Sequence, residues 1–306
     1  MERMCELSGV SRAGFYRHWE ASAPRQADTA LRDAIQQVIV AKRFYGYRRV
    51  QQELRQRGHC VNAKRVLRLM REDNLLCLRT RRFVPATTDS QHGWRVWPNL
   101  ARGLVTRNTN ELWVADITYV RLQEEFVYVA VVLDAHSRRV IGWAVARHLG
   151  ASVAVQALRM ALAERQPAPG LIHHSDRGIQ YACVDYLTLL ADHGAQPSMS
   201  RVGNPYDNAK AESFMKTLKQ EQVRGHDWRD LDALRTDLTK FLEITYNHQR
   251  LHSALGYQTP AAFEQQLLYA QNPKPSTETS GARELTAPSP HTPLPGLQSS
   301  TQYNCP

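Results

Sequence analysis

The sequence predicts an α/β layered protein with a small all-α module ahead of it, and three observations carry that prediction. Residues 28–73 repeat apolar side chains at helical spacing. From residue 110 the pattern changes: "LWVADITYVRL" alternates, and two more strand-length runs follow before residue 147. Beyond 150 the pattern runs helix, strand, helix, strand, helix. Three hairpin-connected strands followed by that alternation place a sheet against helices.

Each element has its own local reason. Residues 1–27 contain "LSGVSRAGFYRHW", where Ser11 can cap a helix near Arg12, so this stretch reads as part of a helix–turn–helix, too short to fold alone. In residues 28–78, Leu31, Ile35, Val38 and Ile39 form one stripe. Val50 and Leu54 form a second, ended by Gly58, and Val66, Leu67, Leu69 and Met70 form a third, entered through Asn62 as a cap. Residues 79–109 are basic, irregular and aromatic, as a linker lying on DNA would be.

The region 110–270 carries the sheet. In "LWVADITYVRL", Leu112, Val114, Asp116, Thr118 and Val120 share a face. "EFVYVAVVLD" and "RRVIGWAVA" follow as strands around the turn Asp134–Arg138. Residues 151–165 and 179–193 read as helices, and "GLIHHSD" and "AQPSMS" as short strands. Gly203, Asn204 and Pro205 then make a turn, and Asp207 or Asn208 can cap the next helix. A last helix is expected at 228–248. Residues 271–306 are rich in Pro, Ser and Thr and read as a disordered tail.

Composition narrows the function. The net charge is +10 over 306 residues. Between Lys42 and Arg82 thirteen Lys or Arg face three acids, a local excess of +10 that equals the charge of the whole chain. Such a cluster suits a nucleic-acid surface. Arg48, Arg49, Lys64, Arg65 and Arg68 are its candidate phosphate ligands. The five cysteines include no CxxC pair, so neither a zinc pattern nor a disulfide framework follows. The longest apolar stretch, Phe126–Leu133, is strand-sized, so no membrane span is expected. A reducing cytoplasm, in association with the nucleoid, is the expected setting.

Three acids stand out, each with an ordinary alternative. Asp116 sits mid-strand on an apolar face, where an ionised carboxylate needs an arginine, a hydrogen-bond network or a metal. Asp176 follows a short apolar strand, a place where α/β sites are built, though it could merely cap a helix. Glu212 lies one turn into a helix, where an acid also complements the dipole. Fifty-nine residues lie between the first two and thirty-five between the last two.

Taken together with the stretches "YGYRRV", "VNAKRVLRLM", "LWVADITYV", "VVLDAHSRRVIGWA", "HHSDRGIQY", "SMSRVGNPYDNAKAESFMKTLKQE" and "YNHQRLHSALGYQTPAAF", these acids give the chain from about residue 44 to 268 its family likeness. It resembles the DDE transposases of the insertion sequence three family, relatives of retroviral integrases. The resemblance implies an RNase H-like mixed sheet flanked by helices, with Asp116, Asp176 and Glu212 as catalytic metal ligands. It implies two Mg²⁺ ions, for which Mn²⁺ would substitute, and hard cations of this kind prefer carboxylate oxygens. It implies a DNA-phosphate contact for Lys219, with Lys216 and Asn208 as neighbours in the groove.

DNA is the expected partner, both as terminal inverted repeats and as target. A homo-oligomer on DNA and fusion to an upstream-frame product are further expectations, because the chain reads as a downstream frame. The expected reaction is strand cleavage followed by strand transfer. The alternative is a non-catalytic DNA-binding competitor or remnant of a two-frame transposase. Asp134 reads as a turn residue, and His173 and His174 as packed or hydrogen-bonded. His248 and His252 could share a metal only if their segment stays helical, and packing or DNA contact is the preferred reading.

Overall fold

The computed structural model describes residues 2–7, 9, 11, 13, 28–77, 96–201 and 205–271. The expected helix near Arg12 and the tail after 271 lie outside the described residues. The chain divides into two compact units, one containing the helices before residue 80 and one spanning Arg81–Pro275.

The first unit contains α1 (Glu2–Leu7), α2 (Thr29–Ala41), α3 (Tyr47–Gln56) and α4 (Ala63–Glu72). Its interior is built by the expected stripes: Ile35, Val38, Val50, Leu54, Val66, Leu69 and Met70 are fully buried. Ile39 and Leu67 sit at the stripe borders, half-buried. Chain reversal after α3 uses Gly58 at φ +85°, a conformation L side chains rarely adopt. Asn62 caps α4, its Oδ1 accepting the Lys64 N–H at 2.8 Å. Asp28, 2% exposed, lies just before α2 and takes the guanidinium groups of Arg65 and Arg68 from α4. Arg32 bonds Glu72 and Asp73 from the same side. Two of the expected phosphate ligands therefore already pin α2 to α4.

The second unit is a five-stranded sheet between helical layers. Its elements are β1 (Leu112–Arg121), β2 (Phe126–Asp134), β3 (Val140–Ala146), α5 (Ala151–Arg165), β4 (Ile172–Ser175), α6 (Ile179–Ala182), α7 (Val184–Asp192) and β5 (Gln196–Met199). They are followed by a 3₁₀ turn (Pro205–Asn208), α8 (Ala209–Leu218), a π-helical turn (Lys219–Val223), α9 (Leu231–Thr239), a π-helical stretch (Lys240–Gln249) and α10 (Pro260–Gln271). Spatial order is β3-β2-β1-β4-β5. The first three strands pair antiparallel, and β4 and β5 add in parallel beyond β1. β2 lies between two strands with both faces covered, which explains its near-continuous apolar run.

Alternation along β1 and β2 splits the core in two. Leu112, Val114, Val129 and Val131 face Phe214 and Leu218 of α8, Leu238 of α9 and Tyr246. Trp113, Ala115, Ala130 and Val132 face Leu158 and Ala161 of α5, with Tyr186 and Leu190 of α7. Gly142 on β3 allows α5 to approach closely: a Cβ there would stand 2.2 Å from the Ala157 carbonyl oxygen. Asn247 extends β3 by side chain alone, donating to the Val140 carbonyl at 2.9 Å and accepting its N–H at 3.0 Å.

Several sequence expectations change. The helix expected at 179–193 breaks at Cys183, whose extended backbone (φ −71°, ψ 152°) separates α6 from α7. Neither Asp207 nor Asn208 caps α8 through its side chain. Asp207 bonds Arg201 instead, and this pairing holds its carboxyl well below the usual carboxylate range. The described end of the basic linker docks on the sheet unit: Trp97 packs on the core, and the Leu100 N–H donates to Ser198 Oγ at 2.8 Å. Its apolar side chains have a better partner there than a phosphate backbone. The segment carrying His248 and His252 leaves helical geometry at Arg250 (ψ 123°). His248 is exposed, whereas His252 is buried, edge-on to Tyr246 at 4.9 Å.

Candidate catalytic site on the sheet

β4 pairs with β1 only from Leu112 to Val114, so Asp116 lies just past the end of that pairing. The end of β4 delivers Asp176 next to this edge. Its Oδ1 accepts the Gly178 N–H at 3.0 Å, a tight turn that fixes the carboxylate. Glycine suits this turn, because a Cβ at 178 would crowd that oxygen at 3.0 Å and push aside Gln180 Oε1 at 2.8 Å. From the other layer comes α8, anchored in the core by Ala211, Phe214, Met215 and Leu218. That anchoring leaves Glu212 and Lys216 exposed. Just ahead of α8, Asn208 is 7% exposed and donates from Nδ2 to the Ala115 carbonyl at 3.1 Å. It ties the start of α8 to the backbone beside Asp116.

The electrostatics show these groups facing one another. Asp116 is half-exposed by area, yet its carboxyl is pushed up to about 7. Burial is the main cause, followed by the charge of Asp176 and then that of Glu212. The Ile117 N–H and Lys219 work in the opposite direction. Like charges held together in a poorly solvated place raise a carboxyl in this way. Among the described residues no group of three or more Asp, Glu, His or Cys side chains is placed to hold a metal ion as it stands. Asp176 and Glu212 are near enough to Asp116 for their charges to act on it.

Two unused polar atoms adjoin them. Asn208 Oδ1 is buried without a hydrogen-bond partner among the described residues. The same holds for the hydroxyl of Tyr181, whose ionisation burial and then Asp176 and Asp116 oppose. Carboxylates in mutual repulsion beside orphaned oxygens suit a hard cation with its water shell.

Neighbouring histidines have structural partners. His174 places its ring nitrogens 2.8 Å from Ser198 Oγ and 3.0 Å from Ser200 Oγ, stitching β4 to β5. His173 Nε2 meets the Tyr186 hydroxyl at 3.0 Å. Burial lowers them to about 4 and about 3 respectively, so both are neutral at neutral pH. Asp134 is fully buried and accepts N–H groups from Asn110, His136 and Ser137. It organises the turn, as its sequence context suggested.

The basic residues fall into separate groups. Arg48 and Lys64 are exposed, and Arg48 and Arg49 stack over Tyr47 and Tyr45 at 5.2 and 5.5 Å. Arg65 and Arg68 remain about half-exposed while paired to Asp28. Lys219 is half-buried, with its Nζ 4.4 Å from the centroid of the Tyr119 ring. Tyr119 and Tyr181 escaped the sequence reading. The signal available for Tyr181 was an aromatic hydroxyl five residues after Asp176 on the following helix.

This sheet order, with helices packed on both faces, sets the class. Residues 107–205 and 193–260 match the integrase core domain family, and residues 26–83 match an HTH-like domain. The fold is thus an RNase H-like integrase core behind an HTH-like helical region, the equipment of a DNA-mobilising protein. The chain belongs to the insertion sequence three family of transposases, whose activity is DNA transposition and integration. A transposase, InsF of insertion sequence IS3A from Escherichia coli K12, is 35% identical over 86% of this chain and 93% of its own length. A 31 kDa protein of insertion element IS600 from Shigella sonnei is 40% identical over 86% of this chain and 97% of its own. Among solved structures, the HTLV-2 integrase catalytic core domain in complex with magnesium is 15% identical. It covers 52% of this chain and 98% of that one, with a TM-score of 0.39. A simian T-cell lymphotropic virus intasome in complex with a PP2A regulatory subunit covers 84% of this chain and 80% of that one, at 15% identity and a TM-score of 0.44.

Proposed function

We propose that the chain cleaves and joins DNA strands at insertion-sequence ends by phosphoryl transfer, with Asp116, Asp176 and Glu212 as the catalytic, metal-holding acids. The observation carrying this reading is the raised Asp116 carboxyl, caused by burial and by the two other acids of the triad. The structural acids are satisfied within the protein, Asp28 by two arginines and Asp134 by three N–H donors.

In the first step a water oxygen attacks an end phosphodiester. The bond from phosphorus to the 3′ oxygen breaks, leaving a 3′-hydroxyl and a 5′-phosphate. In the second step that 3′ oxygen attacks another phosphodiester and displaces its 3′ oxygen. Two Mg²⁺ ions, or Mn²⁺ in their place, would supply activation of the attacking oxygen and stabilisation of the leaving one. Asp116 would face both ions, with Asp176 and Glu212 each holding one. The Gly178 turn keeps Asp176 in place, and Asn208 keeps α8 registered on β1. Lys219 and Lys216 would hold DNA phosphates beside the acids.

The helical unit would bind the element's terminal repeats through Arg48, Arg49 and Lys64, with Arg65 and Arg68 sharing themselves between phosphate and Asp28. Phosphate contacts make such binding steeply salt-dependent. Assembly of several copies on DNA, and fusion to an upstream-frame product, belong to the same reading.

The test is Mg²⁺-dependent joining of a pre-nicked element end by wild type and Glu212→Gln. It is run on this chain and on the frame-fused protein, with melting temperature and end-DNA binding as controls. Glu212→Gln should abolish joining and weaken calorimetric Mn²⁺ binding while folding and DNA binding persist. Wild-type joining rates from the variant would overturn the assignment. An unmodified fusion that binds ends but never nicks would favour the non-catalytic competitor.

A further inference from the structure

We propose that Tyr119 is a positioning residue for Lys219: its ring face carries the lysine ammonium beside Asp116 and presents it to the phosphate that enters there. The inference rests on the reading of the acids given above.

The geometry begins with the end of a strand. β4 leaves β1 after Val114, so the following stretch of β1 has no strand neighbour on that side. Tyr119 lies in this stretch, three residues beyond Asp116, and belongs to neither core cluster. Lys219 approaches from the helical layer. It opens the π-helical turn Lys219–Val223 directly after α8. A π turn carries more residues per turn than an α-helix and so re-aims the side chains that follow. The Lys219 Nζ ends 4.4 Å from the Tyr119 ring centroid.

The ammonium is in an unusual electrical position. Burial lowers its proton affinity, Asp116 opposes that effect, and Arg224 adds to it. No described carboxylate engages it in an ion pair. The aromatic face is its direct contact, attracting the cation through the ring quadrupole, while Asp116 attracts it through charge.

That choice of partner has a chemical consequence. A carboxylate at the same place would neutralise the lysine and occupy its N–H donors. A ring face attracts the charge without offering a carboxylate acceptor, so N–H donors stay available to an incoming phosphate oxygen. It also limits the many rotamers of a four-carbon side chain before substrate arrives. The ring is itself buttressed. Phe126 meets it edge-on at 5.8 Å and 72°, and Arg121 lies over Phe126 at 5.8 Å. This support accounts for Phe126 remaining 50% exposed at the start of β2.

The experiment compares Tyr119→Phe, Tyr119→Leu, Tyr119→Met, Lys219→Ala and the double variant Tyr119→Leu/Lys219→Ala in the full-length protein. One readout is the salt dependence of binding to a duplex carrying the element's terminal repeat, measured without divalent ions. The other is Mg²⁺-dependent joining of the same end after pre-nicking, with melting temperature as a control. Tyr119→Phe should match wild type in both. Tyr119→Leu and Tyr119→Met should lower the slope of log affinity against log salt toward that of Lys219→Ala, a change of about 0.9 for one phosphate. They should also slow joining to the Lys219→Ala rate. The double variant should be no worse than Lys219→Ala, because coupled residues are not additive.

Wild-type slopes in both non-aromatic variants would overturn the proposal. So would equal loss in Tyr119→Phe, which would assign the effect to the hydroxyl, or a fully additive double variant. Two non-aromatic replacements keep a folding defect in one from deciding the result. The binding arm needs no catalysis, so an active Glu212→Gln protein would remove the catalytic reading while the coupling of Tyr119 to Lys219 is still judged.

Discussion

Asp28 in the helical unit and Asp116 in the sheet unit are both acids placed where water is scarce, yet their surroundings drive them in opposite directions. Asp28 receives Arg65 and Arg68, and hydrogen bonds from these two hold its carboxyl below the usual range. Asp116 receives burial and two further acids, and it rises to about 7. One carboxylate is satisfied by the protein's own cations and serves the packing of α2 on α4. The other is left in repulsion that the Ile117 N–H and Lys219 offset only in part. The difference distinguishes a fold-making acid from a candidate catalytic one, and it does so through environment, since the residue type is the same.

Exchanging the acids for neutral isosteres tests this contrast most severely. Asp116→Asn should reduce strand joining to background while the protein remains folded. In the metal-free protein it should also change the pH profile. A carboxyl raised in the folded state binds protons more tightly there, so its contribution to stability is full below about 3.8 and is lost as pH rises toward about 7. Wild type without divalent ions should therefore lose melting temperature between about pH 4 and 7, and Asp116→Asn should lose less. The gain should be roughly 2–4 °C for each kcal/mol of repulsion removed. Calorimetry across pH measures it, and identical profiles for the two proteins would show that Asp116 is compensated after all.

Asp28→Ala should act in the reverse sense. It strands Arg65 and Arg68 and should lower the stability of the helical unit, read as faster amide exchange in α2 and α4, while the sheet unit stays protected. Its pH dependence is also reversed. A lowered carboxyl contributes stability above its ordinary value near 3.8 and loses it as pH falls through the lower folded value. Unchanged exchange in α2 would mean that the apolar stripes alone hold the unit together.

The smallest effect is expected at Tyr181. Its hydroxyl is buried without a described partner, so Tyr181→Phe should leave the fold as stable as before or up to about 1 kcal/mol more stable. Denaturant unfolding reads the change. A clear loss of stability would reveal a hydrogen bond that the contrast between satisfied and unsatisfied groups leaves out.

Much of this protein is determined by local sequence. Alternation over Leu112–Arg121 specifies a strand, because side chains two residues apart must share a face, and the short apolar run Phe126–Asp134 suits a strand covered on both faces. The helical stripes that end in Ile35, Leu54 and Met70 specify their own buried sides. The proposal of three acids comes from their sequence contexts and the family those contexts resemble. Tertiary structure alone decided how charge and polarity were shared out. Arg65 and Arg68 looked like free phosphate ligands until α2 brought Asp28 to them. Asn208 looked like part of a groove until α8 laid it on the Ala115 carbonyl. Arg250, which no sequence pattern singles out, is paired at 2.8 Å with Glu221 from the turn after α8. Periodicity is a property of neighbours along the chain, so a sequence displays it directly. Neutralisation and desolvation depend on which distant groups come within a few ångströms, and that is set only when the layers pack.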